Sequence, residues 1–325
     1  MICYTEYMLR LDKLLHSTYP QFSRKQWSTF CTQGYVIYRN QICTKSHELP
    51  SEEACHLDID WERIHQHVHW NLVPSDNPIE ILYMGQGLLV ANKPSNLHCH
   101  PNSPEETDSL VHRLAHIIPE SKEQQQGFLL NRIDYETSGL VLSATSRESF
   151  EKWQPCFRKT SDLGVTKVYT ALVWGIPTWT QTTSTDSIGH LKNQRNRVGL
   201  YNSPNSHHGV QDFRGNPVPA RTEFILEQTG FLKPPGKPIP ALQASVVEAR
   251  LDHGMMHQVR VHLQGLGHPL AGDKIYGPQV YPLLSPHGLH CKEIRIDPCP
   301  DFPQGITWGS RLPDAPPFCW FRPRG

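Results

Sequence analysis

Apolar positions near the start of the chain follow the spacing of two short helices and a hairpin. The stretch "MLRLDKLLHSTYP" ends at Pro20 and places four leucines near one helical face: Leu9, Leu11, Leu14 and Leu15. In "SRKQWSTFCTQG", Ser23 is expected to cap a second helix and Gly34 to end it. The segment "YVIYRNQICTKS" alternates around Arg39-Asn40, which predicts a short hairpin.

From Ile79 onward, short apolar or alternating runs predict many strands. Strand-like runs lie on either side of Gly85-Gln86-Gly87, and a strand is expected on each side of the polar turn in "LLNRIDYETSGLVLSATS". Further strands are expected in "TKVYTALVWG", "RTEFILEQ" and "LQASVVEARL". We expect a polar region with turns over 176–220 and a proline-rich C-terminal tail that contains "LHCKEIRID".

Helical patterns are fewer, and they occur in "TDSLVHRLAHII", "TSRESFEKWQPCFRK" and "MHQVRVHLQGLG". Thr145 and Glu148 are expected to cap the second of these helices. Many strands with hairpin-like connections indicate an α+β fold whose mixed sheet is rich in antiparallel pairs. We divide the chain into a small N-terminal α/β domain (1–60), a linker (61–78) and a large domain (79–325).

Composition narrows the class of protein. The 325 residues are enough for one large domain or two. The mean hydropathy is −0.49, and no apolar run approaches the ~20 residues of a membrane helix. The first residues, "MICYTEYMLRLDKLL", lack the pattern of a secretory signal. Nine cysteines without a CxxC pair fit free thiols in a reducing compartment, so we expect a cytoplasmic protein and no membrane partner.

The charge is balanced, with 31 Lys and Arg against 31 Asp and Glu. Nucleic-acid binders usually carry a basic excess, so any such surface must be local. Histidines offer a different function class, a metal hydrolase built around His98–His100, but no second ligand set follows at a recognisable spacing. The alternating His65, His67 and His69 also lack partner ligands, and we interpret them as a solvated strand face. We therefore expect no metal site.

Four stretches carry charged or aromatic groups without an evident packing reason: "ANKPSNLHCHP", "NRIDYETSG", "KVYTALVWG" and "MMHQVRVHLQGLGHPLAGDKIYG". Each has a structural interpretation when taken singly. Asp134 suits an Asx turn and Tyr169 an ordinary strand core. Arg260 suits a helix surface, and Lys93 a solvated turn.

Taken together and in this order, the stretches resemble the RluA-type pseudouridine synthases, which isomerise uridine within RNA. The matching motifs are Asn131-Arg132-Ile133-Asp134 with Thr137-Ser138-Gly139, Lys167-Val168-Tyr169, His257-Gln258-Val259-Arg260-Val261-His262, Gly272-Asp273 before Tyr276-Gly277, and Lys93-Pro94 with Leu289-His290. The resemblance covers about 79–298.

The resemblance implies a role for each matching position. Asp134 would be the catalytic carboxylate, Arg260 its partner, and Tyr169 the ring packed against the target base. Arg132 would help to take over the space of the flipped-out nucleotide. Four further positions would contact RNA: Lys93, Lys167, His257 and Gln258. Isomerisation has no redox step and no external acceptor, so the resemblance implies no cofactor.

The N-terminal domain resembles the alpha-L RNA-binding motif of ribosomal proteins through "RLDKLL", "SRKQ" and "GYV". The resemblance implies phosphate contacts from one side of the unit, at Arg10, Lys13, Arg24 and Lys25. The alternative is a helical capping unit. The expected partner is structured RNA, with ribosomal RNA as the first candidate and transfer RNA as the second, bound by a monomer.

Three positions depart from the family pattern. Asn131 replaces a histidine, and Asn96 stands where a glycine often follows Lys-Pro, although asparagine tolerates the same left-handed conformation. Met255 replaces an arginine; it either faces RNA without a phosphate partner or packs into a rebuilt core. The second functional hypothesis is therefore a weak or inactive RNA-binding protein on the synthase fold. The retention of Asp134 and Tyr169 favours an enzyme.

Overall fold

The computed structural model describes 8–19, 22–39, 41–50, 56–68, 74–102, 106–119, 127–158, 163–194, 196–201, 209–234, 240–278 and 285–324, with the backbone alone for 65–68. The chain forms two compact units, Met1–Asn71 and Leu72–Gly325. Each unit has its own hydrophobic core.

The first unit contains strands β1 (Met8–Arg10), β2 (Val36–Tyr38), β3 (Gln41–Ile42), β4 (Glu48–Pro50) and β5 (Leu57–Ile59), and helices α1 (Leu11–Thr18), α2 (Arg24–Thr32) and α3 (Trp61–Val68). Ser23 caps α2 in a capping box with Gln26, and Gly34 adopts φ +75° just after the helix. β2 and β3 pair as an antiparallel hairpin. The two helices and the hairpin predicted from the sequence are confirmed.

Two details of this unit differ from the sequence interpretation. Leu9 belongs to β1, which pairs with β4, and not to the first helix. Residues 61–68, predicted as linker, form α3, whose Ile64 is buried against the core around Trp27. The solvated strand face proposed for His65 and His67 is therefore wrong, since that segment is helical; His69 lies outside the described residues.

The second unit contains β6 (Glu80–Gly85), β7 (Leu88–Lys93), α4 (Leu110–Leu114), β8 (Ser138–Ala144), α5 (Arg147–Phe157), β9 (Val165–Trp174), β10 (Gln181–Ser184), β11 (Ser187–His190), β12 (Val198–Tyr201), β13 (Thr222–Leu232), β14 (Leu242–Leu251), α6 (Gln258–Gly265), β15 (Leu289–Ile296), β16 (Ile306–Gly309) and β17 (Phe321–Pro323). Within the described chain its main sheet has the order β10-β13-β14-β9-β15-β8-β7-β6, with β16 and β17 paired to β15 and β13. Among these pairs only β15–β8 is parallel. The α+β fold with an antiparallel-rich mixed sheet is confirmed.

The parallel pair lies at the centre of the sheet. The sequence patterns did not predict it. "LHCKEIRID", which we expected in a C-terminal tail, forms β15 between β9 and β8. Gly139 makes this close approach possible. Its φ is +109°, and a Cβ there would stand 2.3 Å from the carbonyl oxygen of Cys291. The start of β8, the strand that follows the Asp134 turn, therefore packs directly against the backbone of β15.

The strand predicted before that turn is absent from the described 127–134, where Leu129 makes a single bridge to Ser143. Two backbone bonds still join this segment to β8, from Leu130 N to the Leu142 carbonyl and from Ala144 N to the Phe128 carbonyl, each at 2.8 Å. Beyond them the Asn131 side chain continues the pairing: its Oδ1 accepts from Leu142 N at 2.7 Å, and its Nδ2 donates to the Leu140 carbonyl at 3.4 Å. Asn131, the replacement for the family histidine, thus pairs with the backbone of β8.

The helices of the second unit are shorter than predicted or differently capped. α4 spans Leu110–Leu114, less than half of its predicted stretch. α5 is capped by Ser146, which accepts from Ser149 N, so the Thr145–Glu148 capping pair is wrong. In the described part of the chain, no helix combines the length and apolar character needed to cross a membrane.

Candidate active site

Asp134 and Arg260 meet at the end of the central strands, as the sequence predicted. Arg260 Nη1 donates to Asp134 Oδ2 at 2.8 Å. The same guanidinium donates through Nε and Nη2 to both oxygens of Asp273, at 2.7 and 2.9 Å. Asp273 is fully buried and Arg260 nearly so, whereas the side chain of Asp134 is 26% exposed. One carboxylate anchors the arginine, and the other remains open to a substrate.

The surroundings keep Asp134 ionised. Burial raises its pKa, but the electrostatic interactions with His257, Arg260 and His287 and the hydrogen bond from Arg260 outweigh burial, so the pKa lies below its usual value. Burial lowers the pKa of His257 to about 4, so this ring is neutral at pH 7 and Arg260 is the permanent cation. Burial also lowers the pKa of Arg260, but its bonds to Asp273 and Asp134 raise it overall. A charged carboxylate at neutral pH is therefore the stable state of this site.

His257 begins α6 in a strained conformation beside the carboxylate. Its φ is +56°, in the left-handed region that asparagine and glycine favour, and its Nε2 lies 3.9 Å from Asp134 Oδ2. Its Nδ1 lies 3.0 Å from the hydroxyl of Tyr276, which also bonds to the backbone of Val198. The ring of Tyr276 underlies the Arg260 guanidinium at 5.2 Å. These contacts hold the start of α6, and with it Arg260, at the Asp134 turn.

Lys93 stabilises the Asp134 turn through hydrogen bonds from its ammonium group to backbone carbonyls. Its side chain is fully buried, and its Nζ donates to the carbonyls of Pro94, Leu97 and Tyr135 at 2.9, 2.7 and 3.2 Å. Burial lowers its pKa to about 8. The predicted RNA contact of Lys93 is therefore wrong, because its ammonium is already surrounded by the protein backbone. The lysine instead joins the Lys93–Leu97 loop to the catalytic turn.

The residues after Asp134 are fixed by a second set of contacts. Glu136 accepts from Lys274 Nζ at 2.9 Å and from the backbone of His287 at 3.0 Å. Burial raises the pKa of Glu136, but the bonds from His287 and Lys274 bring it far below the usual range. Thr137 Oγ1 lies 2.8 Å from His287 Nε2. The turn is thus bound to Lys274 and His287 as well as to the Lys93–Leu97 loop.

Tyr169 lies on β9, beside Cys291 of β15. The ring is only 7% exposed. Burial raises its pKa well above the usual value, and the charge of Asp134 acts in the same direction, so the two groups interact. Tyr169 therefore remains a neutral phenol with little exposed surface.

The other predicted RNA contacts divide between buried and exposed side chains. Lys167 is buried, donates to the Asp252 carbonyl at 3.4 Å and lies over the ring of Phe157; burial lowers its pKa. Gln258 is also buried and donates to the Arg221 carbonyl. RNA contacts by Lys167 and Gln258 are therefore wrong predictions. Arg132 is exposed beside Asp134, and His257 keeps a small exposed fraction.

In the N-terminal unit, the structure brings two of the four predicted phosphate contacts together. Arg10 Nε and Arg24 Nη2 bond to Asp12 at 3.2 and 2.8 Å while about half of each side chain stays exposed. Burial raises the pKa of Asp12, but Arg24 and Arg10 lower it below the usual value. Lys13 and Lys25 are exposed.

Met255 does not have the surroundings expected of an RNA contact. Met255 and Met256 are half-buried and pack against a cluster that includes Val198, Val261 and Tyr276. This contact corresponds to the packing alternative, because methionine fills the space under the start of α6. Asn96, the second departure, adopts φ +59°, as expected for a residue that replaces glycine.

Sequence reasoning assigned no role to two residues on which the geometry depends. Asp273 was part of a matched motif, and its spacing before Tyr276 was the available signal. His287 had no local signal, since its contact with Thr137 spans 150 positions of the chain. Among the described residues, no three histidine, cysteine, aspartate or glutamate side chains form a group that could hold a metal ion.

Comparisons with known proteins identify the family of this chain. The family model for RNA pseudouridylate synthase matches residues 87–265. An uncharacterized RNA pseudouridine synthase of Chlorobaculum parvum is 25% identical, with 94% of this chain and 91% of that protein covered. Ribosomal large subunit pseudouridine synthase D of Xylella fastidiosa is 25% identical over 82% of this chain and 71% of its own.

A solved structure shares the fold. Human RNA pseudouridylate synthase domain containing 1 superposes with a TM-score of 0.59 at 23% identity, covering 77% of this chain and 90% of that one. The resemblance deduced from the motifs is confirmed, as are the isomerase class and the RNA substrate. This chain belongs to the RNA pseudouridylate synthase family.

Proposed function

We propose that Asp134 is the catalytic carboxylate of this RNA pseudouridine synthase. The observation that carries the proposal is the shared guanidinium of Arg260, which is anchored by buried Asp273 and donates to the partly exposed Asp134. Such an arrangement supplies an ionised carboxylate in a mostly dry site, where burial alone would neutralise it. A protein that only binds RNA has no need for this arrangement.

The reaction requires such a carboxylate at the sugar. The bond between C1′ and N1 of uridine breaks, the uracil turns, and a bond between C1′ and C5 forms, while C5 loses a proton and N1 gains one. Asp134 either attacks C1′ or removes a proton from the sugar, and both routes need it ionised. Isomerisation consumes no oxidant or group donor, so we propose no cofactor.

Tyr169 and Arg132 are proposed to handle the base and the RNA. The phenol ring of Tyr169, held neutral by burial, packs against the uracil while it turns, since a π-face accepts more than one orientation. Arg132 is exposed two positions before Asp134, where it can occupy the space of the flipped nucleotide. Flipping costs a few kcal/mol, which contacts to the RNA backbone must offset.

We propose ribosomal RNA as the substrate and the cytoplasm as the location, with the chain acting as a monomer. Support for the substrate comes from relatives named ribosomal large subunit pseudouridine synthase D, in Xylella fastidiosa and in Escherichia coli. We also propose that the N-terminal unit binds phosphates, through exposed Lys13 and Lys25 and through Arg10 and Arg24 around Asp12.

Pseudouridine mapping in the source cells tests this function. RNA from cells with and without the protein is compared, and the expected result is the loss of one or a few pseudouridines in ribosomal RNA. Sites lost only from transfer RNA would overturn the substrate proposal. An unchanged map would favour the alternative, an RNA-binding protein that has lost activity.

A further inference from the structure

The residue that follows the proposed catalytic carboxylate in the chain carries an exposed aromatic ring. Tyr135 follows Asp134 in the chain, and 45% of it is exposed. Its ring lies against the ring of His98, with centroids 4.3 Å apart and planes tilted by 39°. The two rings thus form a tilted aromatic stack with Tyr135 exposed to solvent. Neither ring has a part in the proposed catalytic roles.

The His98 side of this ring pair is held rigid. His98 Nδ1 lies 2.5 Å from Glu106 Oε1, and its Nε2 lies 2.7 Å from Asn102 Nδ2. The imidazole donates to the carboxylate and accepts from the amide, so both ring nitrogens are satisfied. Glu106 Oε2 also accepts from the backbone of Asn102 at 2.7 Å, so the two residues that hold the His98 ring also bond to each other.

The Tyr135 side is held through its backbone. The carbonyl of Tyr135 accepts from Leu97 N and from Lys93 Nζ, each at 3.2 Å. The flanking residues Asp134 and Glu136 are fixed by the contacts already described. A surface that is fixed before binding loses little conformational entropy when a ligand stacks on it.

We propose that Tyr135 and His98 form a stacking platform for an unpaired RNA base that neighbours the target uridine. Because Tyr135 is the next residue after Asp134, a nucleotide whose sugar reaches the carboxylate would bring a neighbouring base within reach of these rings. Bases of unpaired RNA present π-faces to aromatic side chains, and each stacked base contributes substantially and without strong sequence preference. The proposal rests on the proposed role of Asp134 for the position of the RNA.

Binding of a fluorescein-labelled ten-nucleotide oligouridylate, followed by fluorescence anisotropy, tests the platform. Tyr135→Phe keeps the ring and should bind within about twofold of the unmodified protein, whereas Tyr135→Ala and Tyr135→Leu should bind roughly tenfold more weakly. Met84→Ala, which removes another exposed apolar side chain from β6, is the control and should bind normally. On an abasic oligomer of the same length, all these variants should bind alike, because no base is present to stack.

Two results would overturn the proposal: Tyr135→Leu binding as tightly as the unmodified protein, or Tyr135→Ala losing the same affinity on the abasic oligomer. If Tyr135→Ala lowers the melting temperature, His98→Ala supplies the second variant. It should weaken oligouridylate binding selectively over the abasic oligomer, and an equal loss on both would also reject the platform. Binding needs no chemistry, so failure of the Asp134 assignment would be seen separately as unchanged turnover in Asp134→Asn.

Discussion

At the scale of single residues, the site depends on how one guanidinium divides its donors. Arg260 gives two hydrogen bonds to buried Asp273 and one to Asp134. Because Asp273 has no exposed surface, its contribution is to fix the arginine and not to touch RNA. Asp134 keeps the exposure that chemistry requires.

Asp273→Asn should therefore damage both stability and turnover. The substitution removes the charged partner of Arg260 Nε and Nη2 in a buried site. Breaking a buried ion pair costs roughly 3–5 kcal/mol of unfolding free energy. Among the folded molecules, kcat should fall more than tenfold while KM changes little, since Asp134 loses its positioned partner. Asp314→Asn, at an exposed carboxylate, is the matched control. Unchanged turnover in Asp273→Asn would contradict the positioning role.

Substitutions of Tyr169 separate the ring from its hydroxyl. Tyr169→Phe keeps the aromatic face and should retain turnover within about tenfold, whereas Tyr169→Ala should lose much more. The alanine variant also leaves a cavity that costs roughly 3–5 kcal/mol, so turnover must be measured below its melting temperature. Equal losses in the two folded variants would show that the ring does not hold the base.

At the scale of elements, the Asp134 turn is built from parts far apart in the sequence. The Lys93–Leu97 loop bonds to it through Lys93, and Lys274 and His287 bond to it through Glu136. Lys93 looked from its sequence like a solvated turn or an RNA contact, yet its ammonium is buried under three carbonyls. The sequence around Lys93-Pro94 does not distinguish a buried lysine from an exposed one, because the carbonyls that bury it include that of Tyr135, 42 positions away.

Lys93 and Lys25 should give opposite results when substituted. Lys93→Met leaves buried carbonyls without a donor and should lower the unfolding free energy by roughly 2 kcal/mol, with no change in the salt dependence of RNA binding. Lys25→Ala removes an exposed charge and should leave stability unchanged while reducing the salt slope by about 1. Thermal unfolding and RNA titrations at several salt concentrations measure both. A smaller salt slope in Lys93→Met would restore it as a phosphate contact.

Hairpins and motifs were predictable because their signals are local. The turn at Gly85–Gly87, the capped helix after Ser23, and the Asp134–Arg260 pair all followed from spacing or from resemblance. The central strand β15 was not, because its parallel pairing with β8 depends on residues about 150 positions apart. The strand expected before Asp134 is reduced to a bridge at Leu129, because backbone pairing with β8 stops after Leu130 and the side chain of Asn131 then bonds to Leu142 N.

At the scale of the whole molecule, several histidines are held neutral by the fold. Burial lowers the pKa of His112, His257, His262 and His290. The ring of His290 is 1% exposed, between Ser138 and Ser310 on the central strands, and its pKa falls to about 4. In the unfolded chain each of these rings has a pKa near ~6.5.

The unfolding free energy should therefore decrease as pH falls from about 6.5 to about 4. In that window the unfolded chain binds more protons than the folded one, so acidification favours unfolding. His290 alone contributes at most roughly 3 kcal/mol. His290→Gln, compared by denaturant titration at several pH values, should show a shallower slope in this window. An identical slope would mean that His290 takes up a proton as readily in the folded protein as in the unfolded chain, which contradicts the expected effect of burial.

Turnover of the Asp134→Asn variant tests the central assignment most directly. The substitution removes the charge and keeps the size of the side chain. The variant and the unmodified protein are given RNA from cells that lack the protein, and pseudouridine is measured alongside RNA affinity and melting temperature. We predict normal affinity and folding with no pseudouridine formed. Pseudouridine formation at a near-normal rate would contradict the account.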